Sequence, residues 1–383
     1  MRIYLDNAAT TPIRPEVVEA MTAAIQNNFG NPSSIHTEGR QVRALLEKAR
    51  KSVANCLGAS IGEIFFTSGG TEANNMALKC AVRDLGVQHV ISSKLEHHCV
   101  LHSLDTLEKF NQVKISYLDN DEYGRIDMDH LERLLNESQV KTMVSVMHAN
   151  NEIGTLNDIE AIGRLCKDKG ALFHSDTVQT VGHYPIDLSK THIDFLSGAS
   201  HKFHGPKGVG ILYISNRNMI GPYIDGGAQE RNMRGGTENV YGIVGFEKAI
   251  TLAYDNLADK ISYIQSLKDQ MIKGLKEMYP DVIIQGCPES SLYTVLNAAF
   301  PPHDKSEMML MLMDIYGISA SGGSACSSGS EKVSHVIEAI QTPPGYRAVR
   351  FSFSYQNTPE EIEKTLEILG KIIPVKVGSV VAG

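Results

Sequence analysis

The segment Ile64-Phe65-Phe66-Thr67-Ser68-Gly69-Gly70-Thr71-Glu72-Ala73-Asn74-Asn75 joins a short apolar run to the start of a helical pattern through two glycines and a threonine. Such a strand–turn–helix junction aims backbone N–H groups and the positive end of the helix dipole at one point, where phosphate is a natural occupant. No lysine stands at the spacing of a nucleoside-triphosphate loop. A helix cap is the plainer use of the same residues.

Strand and helix go on alternating from there. The runs Glu63–Thr67, His89–Ser92, Val113–Tyr117, Met143–Met147, Ala171–His174, Phe195–Ser197 and Gly210–Ile214 read as strands. Before them, the spacing predicts a helix over Arg14–Asn28 with Val17, Val18, Met21 and Ile25 on one face. A second, over Gly39–Leu57, turns Val42, Leu45, Leu46, Ala49 and Val53 inward. Alternation to about residue 215 predicts an α/β domain: a mostly parallel sheet with helices on both faces and its chemistry at the carboxyl ends of the strands. From Asn239 to Met278 the pattern is helical. Strand-like runs return at Val282–Ile284 and Tyr293–Leu296, and a closing helix follows Pro359, capped from Asn357 and Thr358. These predict a smaller α+β domain. The expected division is a large domain of residues 15–258 and a small one built from 1–14 and 259–383, tightly joined because no low-complexity linker separates them.

The 383 residues carry 36 Lys and Arg against 44 Asp and Glu, a formal charge of −8. That balance argues against nucleic acid or an anionic membrane as the partner. Hydrophobic residues at 42% and charged ones at 21% are ordinary globular values. No apolar run approaches the roughly 18 residues of a bilayer span, and polar residues come too early for a signal peptide, so a cytoplasmic location is expected. In that reducing setting the six cysteines, none in a C-x-x-C pair, read as free thiols rather than a zinc or redox motif.

Two further stretches carry chemistry. Ser200-His201-Lys202-Phe203-His204-Gly205-Pro206-Lys207-Gly208 follows the strand at Phe195. A lysine there, flanked by hydroxyl and imidazole groups, is placed to hold an aldehyde cofactor as a Schiff base. Phe173-His174-Ser175-Asp176-Thr177-Val178-Gln179 ends another strand. Asp176 can pair with a protonated pyridine nitrogen, and Gln179 can offer its amide to a ring substituent. Together with the Gly-Gly-Thr turn they compose a pyridoxal phosphate site.

The chain resembles the cysteine desulfurases among the class V pyridoxal-phosphate enzymes of fold type I. The resemblance rests on Tyr4–Pro12, Gly30–Ser34 with His36 and Gly39-Arg40, the Gly-Gly-Thr turn, Glu96-His97, Met147–Gly154, Asp176 with Gln179, and His201-Lys202. Gly226–Arg231, Arg234–Asn239, Ser324–Cys326 and Arg350–Ser352 extend it over almost the whole chain in order. It implies that Lys202 forms the Schiff base, Asp176 meets the ring nitrogen and Gln179 the ring hydroxyl. Gly70, Thr71, Ser200 and His201 would hold the phosphate, with Thr237 arriving from the other subunit of a homodimer. His97 would stack on the ring and assist proton transfers, and Asn151 and Arg350 would bind the substrate carboxylate. It implies that Cys326 attacks the sulfur of L-cysteine, leaves L-alanine, and passes its persulfide to a scaffold or other acceptor protein for iron–sulfur assembly. Cys326 is then a candidate transient cluster ligand, and no resident metal is expected.

The residues around Cys326, Ser321-Gly322-Gly323-Ser324-Ala325-Cys326-Ser327-Ser328-Gly329-Ser330, are small and polar, so a mobile thiol is expected there. The chain departs from the family pattern at Ala199, where serine is usual three positions before the lysine, and less at Ala228 and Gly322. The spacing from Cys326 to Arg350 is long, as in the members that pair with scaffold proteins. Rival readings are a selenocysteine lyase, a transaminase, for which Cys326 has no use, and a non-catalytic binding protein on the same fold.

Overall fold

The computed structural model describes residues 2–322 and 334–373. Its strands run, in chain order, β1 (Ile3–Tyr4), β2 (Ile64–Thr67), β3 (His89–Ser93), β4 (Lys114–Leu118), β5 (Thr142–Ser145) and β6 (Leu172–Asp176). They continue as β7 (Phe195–Ala199), β8 (Gly210–Ile214), β9 (Ile283–Gln285), β10 (Val295–Phe300), β11 (Ile318–Ser319) and β12 (Arg347–Ser352).

Seven strands form the central sheet in the order β2-β8-β7-β6-β5-β3-β4. Side chains alternate across it because the period of a strand is two. Ile64, Ile91, Val144, Phe173, Leu196 and Ile211 enter one core, against helices Thr37–Leu57, Ile159–Lys169 and Val240–Tyr254. Phe65, Val90, Met143, Phe195 and Leu212 enter the other, against Gly70–Leu85 and His98–Asn111. A sheet covered on both faces has no wet side, which is why its strands read as unbroken apolar runs. A further core surrounds the antiparallel sheet β12-β10-β9, packed by helices Leu257–Met278 and Pro359–Ile372 and joined by Ile3 and Leu5. The N-terminal strand reaches it by parallel pairing, Ile3 opposite Ile318.

Strand β8 runs antiparallel to both its neighbours, because the short connection from β7 through the turn Ser200–Lys202 makes no crossover, and the other pairings make the sheet mostly parallel as expected. Three features differ from the sequence expectation. Strand β12 breaks the apolar pattern with Arg347 and Arg350, so its sequence does not read as a strand. Val18 and Ile25 point outward, 47% and 54% exposed, while the same helix buries Val17 and Ala24. The helical stretch after Asn239 is also interrupted, at Asn256, whose φ of 48° no α-helix accommodates.

The parallel strands β3, β5, β6 and β7 deliver their carboxyl ends to one edge, and the loops beyond them carry the site. At that edge Gly70 and Gly210 leave no room for a side chain. A Cβ on Gly210 would lie 2.7 Å from Cα of Gly69, and one on Gly70 would lie 2.5 Å from Val178.

Candidate active site

At the carboxyl edge lies a cavity of about 250 Å³, bounded by Gly70, Thr71, His97, Asn151, Asp176, Gln179, His201, Lys202 and Arg350. Nine of the residues selected from sequence therefore converge on one space. Lys202 ends the short turn after β7, and its Nζ donates to the carbonyls of Ala8 (2.6 Å) and Ala9 (2.9 Å). Gln179 Nε2 donates to the same Ala8 carbonyl at 3.1 Å. The N-terminal segment thus walls the cavity on the lysine side.

Asp176, at the end of β6, is held by three donors. Val178 N meets Oδ1 at 3.0 Å, Ser197 Oγ meets it at 3.4 Å, and Asn74 Nδ2 meets Oδ2 at 2.7 Å. Asn74 is itself oriented by His174, whose Nε2 lies 3.1 Å from Asn74 Oδ1 and whose Nδ1 lies 2.8 Å from Ser145 Oγ. Burial pulls the His174 imidazole down to about 4, with Asp176 opposing, so the ring is neutral at physiological pH. Neutral His174 has one N–H, which the amide oxygen of Asn74 claims, and this leaves the amide nitrogen for Asp176.

His97 caps the helix His98–Asn111, its Nδ1 accepting from Cys99 N at 3.2 Å and lying 3.0 Å from Cys99 Sγ. Burial lowers its pKa; Asp176 opposes this, while Lys202, His98 and His335 act with it. The preceding Glu96 is buried, Oε1 accepting from Met147 N at 2.6 Å while Oε2 has no hydrogen-bond partner among the described residues. Burial, with Asp176 acting in the same sense, holds its carboxyl well above the usual carboxylate range.

The anion end of the cavity is the start of helix Gly70–Leu85, where Gly70 and Thr71 face His201 and Lys207. Burial first, then Lys202 and Lys207, brings His201 down to about 4, and its Nδ1 lies 3.2 Å from Thr10 Oγ1. Ser200 does not join them. Its Oγ is buried without a partner among the described residues and sits under Gly205, where an added Cβ would lie 1.8 Å away. Ala199, the last residue of β7, lines the cavity, whereas Ser200 opens the short turn that follows and packs against Gly205.

Arg350, on β12, is 1% exposed. Its Nη2 donates to Asp6 Oδ1 and its Nη1 to the carbonyl of Asn151, both at 2.9 Å, and Ser321 Oγ donates to the same Asp6 oxygen at 2.8 Å. Nε is buried with no partner among the described residues, the condition of a guanidinium that keeps a donor for a ligand. Thr237 lies apart, exposed, in a separate recess with Gly208 and Arg234. Cys326 lies outside the described residues.

Asn74, Cys99, Glu96 and Asp6 were given no role from sequence, although Asn74, Glu96 and Asp6 lie in the motifs quoted there. Asn74 had a visible signal, one helical turn beyond Gly70 and so on the same face. Cys99, two residues after His97, had only its place beside the helix cap.

Residues 3–365 match the model of the aminotransferase class-V family. The chain belongs to that family. It is 44% identical to a cysteine desulfurase IscS of Dictyoglomus turgidum over 97% of this chain and 94% of that one. It is 43% identical to the cysteine desulfurase IscS of Methanosarcina thermophila over 97% and 92%. Among solved structures, a NifS-like protein superposes with a TM-score of 0.89 at 36% identity, covering 97% of this chain and 99% of that one. A NifS-like protein from Rickettsia africae gives 0.87 at 34% identity, covering 97% and 99%.

Class V enzymes work with pyridoxal phosphate, and this class V chain has a matching donor set. A side-chain-free cradle at Gly69-Gly70 suits the phosphate, a carboxylate fixed by three donors suits the ring nitrogen, and Lys202 suits the aldehyde.

Proposed function

We propose that this class V chain is a cysteine desulfurase that binds pyridoxal 5′-phosphate, takes sulfur from L-cysteine, releases L-alanine and carries the sulfur as a persulfide on Cys326. The observation that carries this reading is the convergence of Lys202, Asp176, His97 and Arg350 on one cavity, in a chain 44% identical to a cysteine desulfurase. Bound pyridoxal phosphate supplies the electron sink that makes Cα of the amino acid acidic.

The chain's own residues do the rest. Lys202 would hold the cofactor's aldehyde carbon. Asp176, fixed by Asn74, would keep the ring nitrogen protonated. Gly70, Thr71 and His201 would anchor the phosphate, and Gln179 would meet the ring hydroxyl. Arg350, with Asn151 behind it, would receive the substrate carboxylate through Nε, which has no partner among the described residues. His97 would hold and transfer protons at the cavity. The Cys326 thiolate attacks the substrate sulfur: a sulfur–sulfur bond forms as the carbon–sulfur bond breaks, the carbon keeps the bonding pair and takes up a proton, and alanine leaves.

Thr237 completes the phosphate site of a second subunit in a homodimer, which accounts for its exposure in a single chain. The separate cores of the central and the smaller sheet support a large domain over 15–258 and a small one over 1–14 and 259–383, the latter carrying Cys326 and Arg350. No helix among the described residues is long and apolar enough to cross a membrane, and the enzyme works in the cytoplasm, handing sulfur to an iron–sulfur scaffold or another protein thiol.

The test is incubation of the cofactor-loaded protein with L-cysteine and a thiol reductant. Alanine and sulfide appear in equal amounts, and neither forms with Lys202→Ala. Pyruvate or an exchanged amino group in place of alanine would refute the reading.

A further inference from the structure

We propose that Cys99 is a positioning residue for His97: its thiol and its backbone N–H together occupy Nδ1, fix the ring proton on Nε2, and present the cavity with a hydrogen-bond donor. The inference rests on the desulfurase reading only for the identity of the ligand that Nε2–H meets.

The hydrogen-bond directions follow from the chain of contacts. His174 N–H claims Asn74 Oδ1 at 3.1 Å, so the amide nitrogen of Asn74 faces both Asp176 Oδ2 (2.7 Å) and Cys99 Sγ (3.3 Å). Asn74 therefore donates to the sulfur, and the Thr71 side chain bonds the sulfur as well. Burial, with the Asp176 charge, pushes the Cys99 thiol up to about 12, so it keeps its hydrogen. Of the two acceptors in reach of that hydrogen, the Thr71 hydroxyl and His97 Nδ1 at 3.0 Å, the ring nitrogen is the more basic and takes it. The Cys99 amide meets the same nitrogen at 3.2 Å. A neutral imidazole whose Nδ1 accepts carries its proton on Nε2.

The charges around the ring act on this arrangement from several elements. Asp176 at the end of β6 favours imidazolium. Lys202 after β7, His98 on the same helix and His335 on the helix His335–Ala339 oppose it. So does the positive helix end that His97 caps. Protonating Nδ1 would displace both Cys99 donors. His97 therefore meets the cavity as a neutral ring, with Nε2–H as a hydrogen-bond donor, and takes up a proton only when the Cys99 donors give way. The same contacts link His97 to Asp176 through Cys99 and Asn74, with no water needed.

The test uses protein labelled with 15N in its histidine rings, cofactor-free, with His97 assigned from the His97→Gln variant. In the wild type, Nδ1 gives a pyridine-type and Nε2 a pyrrole-type signal, and the ring titrates below a free histidine. Cys99→Ala raises the proton affinity of His97 by about threefold or more, the worth of one hydrogen bond to the neutral ring, and Cys99→Ser restores it. In the loaded enzyme the acid limb of kcat against pH moves with it, while KM for L-cysteine stays nearer its original value. An unchanged His97 titration in Cys99→Ala would overturn the assignment, as would equal shifts in the Ala and Ser variants, which would trace the effect to volume. If the ring behaves as expected but no alanine forms from L-cysteine, the Cys99 assignment stands and the desulfurase reading fails.

Discussion

Nδ2 of Asn74 lies 2.7 Å from Oδ2 of Asp176, joining the helix that starts at Gly70 to the strand that ends in the carboxylate proposed for the cofactor's ring nitrogen. Hydrogen bonds to charged groups are worth about 1.5–3 kcal/mol. Asn74→Ala should therefore weaken cofactor binding by about tenfold or more. Titration of the cofactor-free protein by visible absorption checks this, and unaltered binding would remove Asn74 from the site.

Arg350 meets Asp6 and the Asn151 carbonyl with two of its nitrogens, and its Nε, with no partner among the described residues, is the one proposed for the substrate carboxylate. Lysine places one point charge where the guanidinium places a planar fork. Arg350→Lys should raise KM for L-cysteine by about tenfold, with a smaller fall in kcat. Steady-state kinetics decide it, and a fall in kcat alone at constant KM would assign Arg350 to structure.

Buried histidines make the fold acid-sensitive. Burial holds His148, His174 and His204 near 4, whereas an unfolded histidine titrates near 6.5. The unfolded chain therefore binds more protons between those values. Stability is complete above about pH 6.5 and is lost as the pH falls toward 4. Thermal unfolding at a series of pH values should show a plateau at neutrality and a falling midpoint below it. A midpoint that is flat down to about pH 5 would mean these rings are not held neutral.

The fold was legible where burial on both sheet faces made whole strands apolar, as in Met143-Val144 and Ile211-Leu212. It was least legible where long-range pairing overrides local pattern. Strand β12 carries Arg350 into the site and so cannot look like a strand, and β1 is two residues that pair with a segment more than 300 positions away. The site was read from Lys202, Asp176 and Gly70 because their chemistry is tied to short motifs beside strand ends. Ser200 was misplaced because the strand ends at Ala199, and the turn that begins at Ser200 carries its hydroxyl under Gly205 instead of into the cavity. Asn74 and Cys99 matter through contacts between elements, and those are set by packing.

The central claim is tested most directly by intact-protein mass spectrometry of the loaded enzyme after a single turnover with L-cysteine and no reductant. The account predicts that the wild-type chain gains one sulfur atom, mapped to Cys326, with one alanine released. It predicts that Cys326→Ala keeps the cofactor's visible absorption but gains no sulfur. Sulfur found on another cysteine, or sulfide release undiminished in Cys326→Ala, would contradict it.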